Sequence, residues 1–115
     1  MMSRVINGVN FDDVIDDAEQ AVKEIVINNW SGIKDLITNI ARGMVDDVEF
    51  IAQKKISGEF NEYDARAFLD DNNIVARIRL RAVLIKSLEL VEKVWNAIAE
   101  IFRDAINHAI GWVIL

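Results

Sequence analysis

At 115 residues, with 52% hydrophobic residues and no cysteine, the chain has the length of one domain and enough apolar material for a core without disulfides or a thiolate metal site. One histidine cannot assemble the usual zinc ligand sets, and a net charge of −6 repels phosphate backbones and anionic lipid surfaces. The longest apolar run, Ala109 to Leu115, is far short of the ~20 residues that span a bilayer, and Met1 to Asn10 lack the apolar run of a secretory signal, so a cytoplasmic protein is expected.

No proline occurs, which leaves glycine and Asn/Asp clusters as the only punctuation. Asn10 is a good N-cap, and Asp12 and Asp13 follow in the first turn, where carboxylates meet the positive end of the helix dipole. Phe11, Val14, Ile15, Ala18, Val22, Ile25 and Val26 make an apolar stripe, so a first helix is predicted over about 11–29, ended by Asn28 and Asn29. Ser31 is read as the cap of a second helix over about 32–57, with Ile33, Leu36, Ile37, Ile40, Met44, Val48, Ile51 and Ala52 inward and Gly58 as its stop. A short helix, about 62–70, is capped by Asn61 and depends on tertiary contacts.

The cluster Asp70–Asn73 is read as the cap of a final helix, about 73–113. In its first part Ile74, Ala76, Ile78, Leu80, Ala82 and Leu84 alternate with Val75, Arg77, Arg79, Arg81 and Val83, a period of two that also fits a strand. No second segment has strand character to pair with it, and the same residues run without a breaker into four heptads. Those heptads carry Leu84, Leu88, Val91, Trp95, Ile98, Phe102, Ala105, Ala109 and Trp112 on one stripe, widened by Ile106 and Val113. The expected fold is an all-α antiparallel helical bundle of three main helices plus one short helix, a single domain with a long C-terminal helix.

The sequence contains no GxGxxG, P-loop, GxSxG or HExxH, so the common nucleotide and hydrolase signatures are missing. Asp104 and His108 stand four apart and share a helical face, but a metal or general-base role needs further ligands or a cleft, and a bordering polar pair is the simpler reading. The acidic pairs Asp12/Asp13, Asp16/Asp17, Asp46/Asp47 and Asp70/Asp71 diverge by about 100° on a helix and read as helix-start electrostatics and a solvated face. Arg77, Arg79, Arg81 and Lys86 form the one basic patch, expected to pair with the chain's own acids. Trp30, Trp95 and Trp112 read as core or interface anchors.

These readings assign no catalytic, cofactor or metal residues and point to a non-enzymatic helical interaction or assembly protein. An unbroken final helix would be roughly 65 Å long against roughly 28 and 39 Å for the first two, leaving close to 25 Å projecting. Ile98, Phe102, Ile106, Ala109, Trp112 and Val113 would then be uncovered, and a homodimer through them is expected. The alternative is a break near Ser87 that folds the helix back over the core, although neither glycine nor proline occurs between Gly58 and Gly111 to assist it. In a three-helix bundle Arg77 and Arg81 would lie alongside Asp13, Asp16 and Asp17 and form structural ion pairs with Asp13 and Asp17. The alternative function is a bundle that binds lipid or another apolar ligand, or lies on a membrane surface.

Overall fold

The computed structural model describes residues 4–84 and 87–115, and it begins with an element the periodicity does not announce. Val5–Ile6 (β1) and Val9–Asn10 (β2) pair antiparallel around Asn7 and Gly8, which take φ of 48° and 85°. Two consecutive positive φ values define the type I′ turn that Asn-Gly favours, because its twist matches that of the flanking strands. The hairpin packs on the helices: the Asn7 side-chain amide donates to the Ala109 carbonyl, and Arg4 pairs with Asp46 at 2.7 Å and Glu49 at 2.8 Å.

Helix α1 spans Phe11–Val26 with Asn10 as its cap, the asparagine oxygen accepting from the amides of Asp12 and Asp13 at 3.0 and 3.4 Å. It ends three residues earlier than expected, in a 3-10 turn at Ile27–Asn29, and α2 (Trp30–Ile56) follows directly, so Ser31 lies inside α2 instead of capping it. The turn reverses the chain. Glu19 and Thr38, about equally far from it on either side, are joined by a 2.8 Å hydrogen bond from the Thr38 hydroxyl. Beyond α2, Gly58 has φ 78°, and Phe60 returns to pack with Phe50 and Phe68, whose ring centroids are 5.8 and 5.9 Å from its own.

Two expectations about the rest of the chain are corrected. The short helix and the start of the final one are a single helix, α3 (Glu62–Val83), opened by a capping box between Asn61 and Asp64. Asp70–Asn73 lie in its middle and cap nothing, because Ala65, Leu69, Asn73, Ala76 and Leu80 form one continuous buried stripe across them. The alternating stretch is helical, as expected. The final helix is not continuous: α3 ends at Val83, Leu84 is its buried C-cap, and Ser87 caps α4 (Leu88–Ile110), its side-chain oxygen accepting from the Leu90 amide at 3.2 Å. Ile85 and Lys86 lie outside the described residues.

Burial decides this break. Folding α4 back covers Val91, Val94, Trp95, Ile98, Phe102 and Ile106, each nearly or fully buried. At roughly 1.5–3 kcal/mol per large apolar side chain, their burial contributes on the order of 10 kcal/mol. A break forgoes only a few backbone hydrogen bonds at about 1 kcal/mol each, and the Ser87 cap recovers part of that. No glycine or proline is required.

The result is an all-α four-helix arrangement in which each helix runs antiparallel to the next. The start of α1 meets the end of α4, with the Phe11 and Phe102 rings 6.4 Å apart, and the end of α2 meets the end of α4 through Lys55 and the Ile110 carbonyl. The start of α3 meets the chain's end through Arg66 and the Val113 carbonyl at 2.8 Å. Helices α1 and α3 are therefore parallel, as are α2 and α4, and α1 and α3 stand on opposite corners of the bundle. After Gly111 (φ 80°) the last residues fold back, and Asn107 fastens them: its oxygen accepts from the amides of Ile114 and Leu115 at 2.9 and 3.1 Å, and its nitrogen donates to the Leu115 carbonyl at 3.1 Å.

Candidate interaction surface

The residues expected at an interface on the C-terminal helix are mostly inside this chain's own core. Ile98, Phe102, Ile106 and Ala109 are buried against α1 and α2, which corrects the expectation that they stand free. Trp112 is half-buried, with the Lys55 ammonium 4.6 Å from its ring centroid, and only Val113, 67% exposed, faces solvent. The expected pairs of Arg77 and Arg81 with Asp13 and Asp17 do not form either. Those aspartates sit on exposed positions of α1, diagonally across the bundle from α3, and Arg77 pairs instead with Glu92 of α4 at 2.7 Å. Arg79 and Arg81 are exposed and have no ion-pair partner among the described residues. Lys86 lies outside them.

Among the described residues no group of three or more His, Asp or Glu side chains is placed to hold a metal ion. Asp104 and His108 are both exposed and share no hydrogen bond. Of the acidic pairs, Asp46 serves the Arg4 ion pair, while Asp47 sits half-buried between α2 and α3, accepting from the Asn72 amide at 3.0 Å. Burial pushes the Asp47 carboxyl up to about 6; Asn72 opposes that shift and the neighbouring Asp46 charge adds to it. Beside it Asn73 is buried, and its side-chain oxygen has no hydrogen-bond partner among the described residues.

The outer face of α3 is left uncovered. Its buried stripe occupies one side, and at 100° per residue Ile74 and Ile78 point the opposite way, 55% and 58% exposed. Between α3 and the first turns of α4 runs an open cleft of about 390 Å³ lined by Ile74, Ile78, Leu88 and Val91, with Arg77, Arg81 and Glu92 at its rim. A second cleft of about 450 Å³, lined in part by Ile33, Val83, Leu84 and Leu90, lies where α3 meets the start of α2. The alternating stretch carried this signal. Residues two apart lie about 200° apart on a helix, so a period-two sequence that is forced helical puts apolar side chains on both of its faces.

The architecture defines the class of protein, a small antiparallel four-helix bundle, here with an apolar outer face on α3. Compared with known protein families, curated proteins and solved structures, the chain matches none.

Proposed function

We propose that this chain is a non-enzymatic, cytoplasmic helical interaction and assembly protein that docks another helix on the outer face of α3 and the adjoining edge of α4. The observation that supports it is the row Ile74, Ile78 and Leu88, each more than half exposed and contiguous with an apolar cleft. Apolar surface of this kind, rimmed by charge, is what helix-in-groove partners bury. This moves the expected interaction surface from the C-terminal half of α4 to the other side of the molecule. No helix among the described residues is long and apolar enough to cross a membrane.

A photo-crosslinking amino acid placed at Ile78 tests the proposal in cells, with Lys93, exposed on the polar face of α4, as control position. Protein adducts at 78 well above those at 93 are expected. Equal, low yields at both positions would overturn the reading. A lipid or apolar-ligand role makes a different prediction, phospholipid extracted stoichiometrically with the purified protein.

A further inference from the structure

We infer that the occupant of this face is the α3 helix of a second copy of the chain, packed antiparallel across a two-fold axis. The inference rests on the interaction reading above and commits it to one partner. Charge selects this partner. Asp70 and Arg81 are eleven residues apart, about three turns, and therefore fall on the same outer stripe as Ile74 and Ile78, one at each end of it. All four side chains are exposed. A stripe that reads acid, apolar, apolar, base from its N-terminal end is complementary to itself only when the second copy runs the opposite way. With the axis near Val75 and Ala76, Ile74 of each copy meets Ile78 of the other, and Asp70 of each meets Arg81 of the other. Arg77, which would approach its own symmetry mate, is already neutralised by Glu92. A parallel pairing would instead set acid against acid and base against base.

The stripe also explains the lone basic segment in an acidic chain. Asn61 to Asp71 holds four acids and one base, whereas Asn72 to Leu115 holds six bases and four acids. In the two-fold pair each acidic end of α3 lies against the other copy's basic end. A single helix-on-helix contact buries area at or below the ~1,200 Å² low end of standard interfaces, so a reversible dimer of micromolar affinity is expected.

Sedimentation equilibrium on the full chain over about three decades of concentration tests this, with circular dichroism confirming that each variant is folded. The wild-type chain, 13.1 kDa, should approach twice that mass reversibly. Ile74→Glu/Ile78→Glu should stay monomeric, since both positions are exposed in the monomer. Asp70→Arg and Arg81→Asp should each weaken association by about tenfold, because each sets like charges opposite one another twice. The double variant Asp70→Arg/Arg81→Asp should recover to within about threefold of wild type. A wild type monomeric at several hundred micromolar, or a dimer indifferent to the isoleucine changes, overturns the inference, as does a double variant no better than either single one. Crosslinks from position 78 to a different protein, with a monomeric wild type, would overturn the second copy while leaving the interaction reading standing. Retention of the monomer on phosphatidylserine-containing vesicles would assign the face to a membrane and overturn both.

Discussion

Replacing Asp47 by asparagine should stabilise the protein at neutral pH and leave it unchanged in acid. Asp47 is held between α2 and α3, where burial raises its carboxyl from 3.8 to about 6 against the opposing Asn72 hydrogen bond. A carboxyl that binds its proton more tightly folded than unfolded favours the folded state below about pH 4. That advantage is lost as pH rises from about 4 to about 6, and above 6 the folded chain carries a charge it accommodates poorly. A difference of about two pKa units corresponds to roughly 3 kcal/mol. Asp47 keeps partial contact with solvent, so about 1 kcal/mol is the figure to expect. The amide is isosteric and keeps an oxygen to accept from Asn72, so the substitution removes the charge and little else. For a chain of this size about 1 kcal/mol is a rise in Tm of roughly 4 °C. Urea denaturation of both proteins at pH 4, 5, 6, 7 and 8 measures it. The gap should open between pH 4 and 6 and stay constant above. A gap that is flat with pH, or a variant less stable at pH 7, would show that the contact between α2 and α3 tolerates the charge.

Phe102→Ala should cost about 3–5 kcal/mol in denaturant titrations of the monomer, because Phe102 is fully buried against Phe11; a cost below about 1 kcal/mol would mean that α4 is not covered by its own chain. Asn107→Ala removes three hydrogen bonds that hold the last two residues, so carboxypeptidase should release Leu115 and Ile114 from the variant much faster than from wild type. Ser87→Ala should lower stability by about 1 kcal/mol through loss of the α4 cap, measured by thermal unfolding, and a silent substitution would contradict that assignment.

The all-α architecture was legible because the stripes of α1, α2 and α4 are long and regular, and because Asn10 and Asn61 are unambiguous caps. The reversal around Ser87 was legible only as the less favoured alternative. No breaker marks it, and the driving force is the burial of α4 against α1 and α2, a tertiary term that local reading does not contain. Asp70–Asn73 misled in the opposite direction. Four cap-prone residues in a row signal a boundary, yet Asn72 reaches Asp47 and Asn73 is buried in α3, so tertiary contacts overrode their local preference. The hairpin at Val5–Asn10 was missed: Asn7-Gly8 between apolar residues is its one signal, and strands of two residues are too short to show a period. Ile74 and Ile78 are the instructive case. Their alternation was visible and correctly set aside as a strand, but its second implication, an apolar face pointing away from the core, follows only once the helix is accepted.

That same face bears on how firmly α3 is held. Its inner stripe consists of two alanines, two leucines and the asparagine Asn73, whose oxygen has no partner among the described residues, whereas α1 and α4 interlock through Phe11, Phe102, Ile98 and Ile106. Small residues contribute little burial, and an unsatisfied buried polar atom costs about 1–3 kcal/mol. Helix α3 should therefore open locally at a free energy well below that of global unfolding. Association of two α3 helices adds to the closed state a term that grows with protein concentration, about 0.7 kcal/mol per chain for each tenfold increase above the dissociation constant, because free monomer rises only as the square root of the total. Native-state hydrogen exchange separates the two contributions. At low concentration the amides of Leu69 to Leu80 should exchange faster than those of Ile98 to Ile106, and raising the concentration should slow the α3 set more than the α4 set. Equal protection in both helices at every concentration would mean that α3 is bound as tightly as the rest and that nothing docks on its outer face.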